Sequence, residues 1–85
     1  MNVVIYARGA NAQQQIEMGE KYAAAHNMTV CEITTDSETM QKRVSGGGVD
    51  AVIVYNVSRI TRNLHEFARV QNTFAGHGTE IIPIS

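Results

Sequence analysis

Apolar and polar positions fall into blocks along this chain, with four short apolar runs separated by longer stretches of helical spacing. The runs are Asn2–Tyr6 (NVVIY), Val30–Ile33 (VCEI), Ala51–Tyr55 (AVIVY) and Glu80–Ile84 (EIIPI). In the first and third, Val3-Val4-Ile5 and Val52-Ile53-Val54 are continuously apolar, as in strands covered on both faces of a parallel sheet. Glu32 marks the second run as an exposed edge, and Pro83 places the fourth at an edge because proline cannot donate to a ladder.

The stretches between the runs read as helices. Asn11 to His26 carries Ala12, Ile16, Gly19, Ala23 and His26 on one face, and Asn11 with Gln14 forms a potential capping box. Ser37 to Val44 is a shorter candidate, with Thr35 and Glu38 placed to cap its start and Gly46-Gly47-Gly48 to end it. From Asn63 to Ala75 the face is Leu64, Phe67, Ala68, Gln71, Phe74 and Ala75. Asn63 and Glu66 offer a capping box there, and Gly76-His77-Gly78 a stop. Strand–helix alternation with right-handed crossovers predicts a three-layer α/β fold with a mainly parallel four-stranded sheet, ordered 2-1-3-4.

Composition narrows the class. Eighty-five residues, 44% hydrophobic and 18% charged, suit a single small domain over 1–85 rather than a disordered chain. The core must rest on Val, Ile, Met and Ala, since Trp is absent. Met18, Met28 and Met40 read as core fillers and Cys31 as a small buried hydrophobe. A single cysteine excludes an internal disulfide, and His26, His65 and His77 share no ligand spacing with it, so neither metal nor cofactor is expected. No apolar run approaches the roughly 18 residues of a membrane span, and a cytoplasmic setting is the expectation. The net charge of −1 argues against strong non-specific affinity for nucleic acid. It conceals an asymmetry: beyond Val57 stand Arg59, Arg62 and Arg69 against Glu66 and Glu80.

In the 2-1-3-4 order the sheet reverses between its first and third strands, and ligands of open α/β sheets bind beyond the carboxyl ends at such a point. The first strand is followed by Ala7-Arg8-Gly9-Ala10, the third by Asn56-Val57-Ser58-Arg59-Ile60-Thr61-Arg62-Asn63. Arg8, Arg59 and Arg62 therefore converge. Guanidiniums beside helix N-termini suit a phosphate. The competing expectation is that they pair with Asp36, Glu38 or solvent.

Tyr6-Ala7-Arg8, Gln15-Ile16-Glu17 and Tyr22-Ala23 resemble the start of the catalytic domain of serine recombinases, the resolvase/invertase family. Asp50-Ala51-Val52-Ile53-Val54-Tyr55 with Ser58-Arg59-Ile60-Thr61-Arg62-Asn63-Leu64 resembles that family's second signature, and the likeness spans essentially the whole chain. It implies a resolvase-like version of the flavodoxin-like topology, with Arg8, Arg59 and Arg62 around a scissile DNA phosphate. It also implies a nucleophilic serine two residues after Arg8, where this chain has Ala10. The family's aspartate before Arg59 is Ser58 here. Gln14 matches a loop glutamine of the family if a gap follows it, with the capping role as the equal alternative. The segment between Asp36 and Val49 is shorter than in the family, and Arg43 takes no assigned role. The family continues past the point matching Ser85 into a further strand and helix, a long dimerisation helix and a DNA-binding domain, none of which is expected here.

The resulting expectation is a degenerate, catalytically inactive recombinase-like domain of a mobile element or phage. It would touch DNA phosphate weakly or pair with itself or a recombinase-like chain. Two other readings stand beside it: a small self-associating interaction module, and a phosphate or nucleotide binder at the arginine cluster. Ser58, alone among Ser37, Ser45, Ser58 and Ser85 in lying at the switch point, is the one substitute nucleophile.

Overall fold

Val3, Val4 and Ile5 occupy the centre of a four-stranded parallel sheet ordered β2-β1-β3-β4, as seen in a computed structural model that describes all residues from Met1 to Ser85. The elements are β1 (Asn2–Tyr6), α1 (Ala12–Ala25), β2 (Thr29–Thr34), α2 (Ser37–Ser45), β3 (Ala51–Val54), a single 3-10 turn (Val57–Arg59), α3 (Leu64–Gly76) and β4 (Glu80–Pro83). Both the strand order and the parallel pairing agree with the expectation from the sequence.

The continuous apolar runs are explained by two cores. Side chains alternate across a strand. Val4, Tyr6, Val52 and Val54 face one side, against Met40 and Val44 of α2 and Phe74 of α3. Val3, Ile5, Ala51 and Ile53 face the other, against Ala23 of α1. Helix α1 lies very close to β1. A Cβ on Gly19 would stand 3.0 Å from Ile5 Cγ2, so glycine sets that approach.

The outer strands behave as edges for different reasons. In β2 the register with β1 slips between Val3 and Val4, which pair with Val30 and Glu32, and Cys31 is left over as a bulge. Cys31 is exposed rather than buried, on the same phase of β2 as exposed Thr29 and Ile33, with its Sγ donating to the Val3 carbonyl at 3.3 Å. In β4 the amides of Glu80 and Ile84 donate inward to Asp50 and Val54, so by alternation the Pro83 nitrogen faces outward, where no donor is needed.

Three helix readings change. Asn11 makes no capping bond with its side chain: the tight turn that brings the Ala12 amide to the Gly9 carbonyl (3.2 Å) leaves Asn11 outside the extended region. Helix α2 is capped by Asp36, not Thr35, with Asp36 Oδ2 accepting from the Thr39 amide and hydroxyl at 3.0 and 2.6 Å. In α3, Asn63 Oδ1 accepts from the His65 and Glu66 amides, whereas the Glu66 carboxylate does not return to Asn63. The Asn63 amide donates to Thr61 Oγ1 instead.

The buried stripe of α3 is Phe67, Val70 and Phe74, leaving Leu64 81% exposed and Ala68, Gln71 and Ala75 on the surface. Two stripes at helical spacing share Phe67 and Phe74 in this segment, and the one that continues through Val70 packs. On α1, Met18 and His26 are also exposed, and the inward face is Gln15, Gly19 and Ala23. No helix is long and apolar enough to cross a membrane.

Candidate anion site at the switch point

The chain leaves β1 through buried Ala7 and turns outward at Arg8 and Gly9. Gln15, only 4% exposed on the first turns of α1, holds that exit. Its Oε1 accepts from the Arg8 amide at 3.1 Å and its Nε2 donates to the Arg8 carbonyl at 2.9 Å. Gly9 follows with φ +97°, and a Cβ there would meet Arg59 Nη1 at 3.2 Å. Glycine thus lets the Arg59 guanidinium lie against the loop.

Arg59 ends the 3-10 turn after β3, its amide donating to the Asn56 carbonyl at 3.1 Å. Its guanidinium carbon stands 5.7 Å from the centroid of the Tyr55 ring, within cation–π range. The Arg59 Nε is buried and has no hydrogen-bond partner. Beside it opens a cavity of about 530 Å³. Arg8 and Gly9 form one wall, and Ser58, Arg59, Thr61 and Arg62 another. Glu66, from the first turn of α3, completes it.

None of these arginines is paired. The one ion pair in the chain joins Lys42 and Glu38 on α2 at 4.0 Å, so the expected pairing with Asp36 or Glu38 does not occur. Asp36 is engaged as a helix cap, and hydrogen bonds from the Thr39 hydroxyl and amide hold its carboxyl below the usual range. Arg43 lies elsewhere in the fold, Nη1 donating to the Gly47 carbonyl at 3.1 Å. Three unpaired guanidiniums beside a helix N-terminus form a donor array suited to a tetrahedral oxyanion.

The other singled-out residues fall at different distances from this array. Ser58 is on the cavity wall, its hydroxyl donating to Asn56 Oδ1. Ala10 sits in the turn before α1, exposed, and is not among the residues of the wall. Gln14 lines a neighbouring hollow of about 210 Å³ with Tyr55 and Arg59, so Arg59 separates the two spaces.

The family model described as the N-terminal domain of resolvase matches residues 3–85. This chain belongs to that family. Among solved structures, the resolvase domain is similar to the C-terminal catalytic domain of ISC1926 TnpA, an IS607-like serine recombinase. The TM-score is 0.89 at 25% identity, over 100% of this chain and 70% of that one. A resolvase family site-specific recombinase from Streptococcus pneumoniae gives 0.90 at 16% identity, covering 99% and 72%. The N-terminal catalytic domain of TP901-1 integrase gives 0.85 at 19%, covering 99% and 77%. At these lower identities the likeness is one of fold. No curated protein matches the chain.

Gln15 and Glu66 are the residues of this resolvase domain whose place at the site the sequence does not disclose. Gln15 stands in the quoted Gln-Ile-Glu motif, yet its grip on the Arg8 backbone needs the fold to be seen. Glu66 reads from sequence as half of a capping box. A carboxylate four residues after Arg62, in the first turn of the helix that starts just beyond it, is the signal that points to it.

Proposed function

We propose that this chain is a resolvase-family domain that binds phosphate through Arg8, Arg59 and Arg62 and does not cleave DNA. The observation that carries the proposal is the set of unpaired guanidiniums around one cavity, with Arg59 Nε buried and partnerless. A buried donor without an acceptor is costly, and a bound oxyanion would satisfy it. Inactivity follows from Ala10 at the position of the family's nucleophile, because a methyl group cannot attack phosphorus. Ser58 is not assigned as a substitute: its hydroxyl donates to Asn56 Oδ1, an amide oxygen that cannot serve as a general base. The partners are DNA backbone phosphate, held weakly by a chain of net charge −1, and a second copy or a recombinase-like chain. Residues 1–85 act as one domain in this proposal, without metal or cofactor.

Incubation with supercoiled DNA followed by denaturing electrophoresis is expected to yield no covalent protein–DNA adduct. An adduct would overturn the inactive assignment, and its loss on Ser58→Ala would name the nucleophile. Titration with inorganic phosphate tests the pocket itself: Arg59→Ala should abolish the binding seen for the unmodified chain. Sedimentation separates pairing from phosphate binding, since self-association should survive that substitution.

A further inference from the structure

The arginine cavity holds one carboxylate, that of Glu66. It does not neutralise the arginines, for none of them has a carboxylate oxygen within 4.0 Å. Its hydrogen-bond partner is Thr61, whose Oγ1 donates to Glu66 Oε2 at 3.2 Å. An ionised carboxylate has about four acceptor sites, and those that Thr61 leaves open on exposed Glu66 face the cavity's solvent, where a ligand's donor can replace water. Arg59, on the same wall, carries a buried Nε that has no acceptor. The ligand that complements both accepts from guanidiniums and donates to a carboxylate. An oxyanion that still carries a proton does this, and a fully ionised one does not.

We infer that Glu66 makes this pocket selective for a phosphate that carries a proton, as a monoester or free phosphate does, over the internal diester of a nucleic acid. The inference rests on the phosphate-binding proposal and narrows its ligand. A monoester keeps its second proton up to a pKa near ~6, and its P–OH can form a short charge-assisted bond to Glu66. A diester has no such proton: it keeps the arginine contacts and so binds weakly, but it gains no bond to Glu66 and is repelled by its carboxylate. The other charged groups on the cavity wall are Arg8, Arg59 and Arg62; His65, adjacent to Glu66 in α3, is not on it. A volume of about 530 Å³ leaves room for the organic part of an ester. Strand ends and free nucleotides share this chemistry.

Calorimetric titration of the 85-residue chain and of Glu66→Gln with inorganic phosphate and with sulfate, near pH ~6, tests the inference. Both anions are tetrahedral, and only phosphate retains protons. The unmodified chain should bind phosphate about tenfold more tightly than sulfate, the ratio falling to within about twofold in Glu66→Gln. Sulfate binding the unmodified chain as well as phosphate, or a ratio unchanged by the substitution, overturns the role of Glu66 and leaves the arginine pocket standing. Binding of neither anion overturns the pocket, and the inference with it. A nucleoside monophosphate and a 5′-phosphorylated single-stranded oligonucleotide separate the two sources, the tighter binder naming the ligand. An unphosphorylated oligonucleotide that matches the tighter of them overturns the selectivity.

Discussion

Gln15 grips the backbone of Arg8 from both sides, its carboxamide oxygen 3.1 Å from the Arg8 amide and its nitrogen 2.9 Å from the Arg8 carbonyl. The carboxamide thus fixes the exit of β1 to α1 and aims the first arginine of the site. Truncation would leave two backbone groups without partners in a partly buried place. Gln15→Ala should cost about 1–3 kcal/mol, read as a lowered thermal midpoint by circular dichroism. Phosphate affinity should fall as well, because Arg8 loses its anchor.

Gly9 carries φ +97° with Arg59 Nη1 beside it, so a side chain there is strained and displaces the guanidinium. Gly9→Ala should destabilise the chain by about 1–3 kcal/mol in urea denaturation. The Arg59 resonances should shift in NMR spectra, which a purely local strain would not produce.

Ala10 follows Gly9 in the turn and is not among the residues of the cavity wall, so a hydroxyl there is not held by the arginine array as folded. Ala10→Ser alone should leave the chain without cleavage activity on supercoiled DNA. Denaturing gels checked for a phosphoserine adduct decide this.

Phe74 is 3% exposed at the centre of one core, whereas Leu64 stands in solvent at the start of the same helix. Phe74→Ala should cost about 3–5 kcal/mol and Leu64→Ser no more than about 0.5 kcal/mol. Denaturant melts of the two variants test which stripe of α3 packs.

Asp36 caps α2, and the Thr39 hydroxyl and amide lower its pKa in the folded chain. A carboxyl depressed on folding contributes stability above its unfolded pKa and loses it as pH falls through the folded value. The melting temperatures of the unmodified chain and Asp36→Ala should therefore differ at neutral pH and converge in acid. A difference that persists unchanged below the carboxylate range would assign the effect to something other than this charge.

The sheet was legible in the chain because burial on both faces demands unbroken apolar runs, and Val3-Val4-Ile5 and Val52-Ile53-Val54 supply them. The convergence of Arg8, Arg59 and Arg62 was legible too, since strand order alone brings the loops after β1 and β3 together. Tertiary packing decided the rest. Spacing allowed two stripes on α3, and only contact with the core selected the one through Val70 and Phe74. Cys31 lies on the outward phase of an edge strand whose two faces are both partly open, so its apolar character did not report burial. Gln15, Gly9 and Glu66 act through groups distant in the chain or on another turn, the Arg8 backbone, the Arg59 guanidinium and the arginine cavity. Periodicity reports which face a residue takes. Whether an arginine finds a carboxylate, or a carboxylate finds a donor, depends on distances that exist only once the loops are folded together.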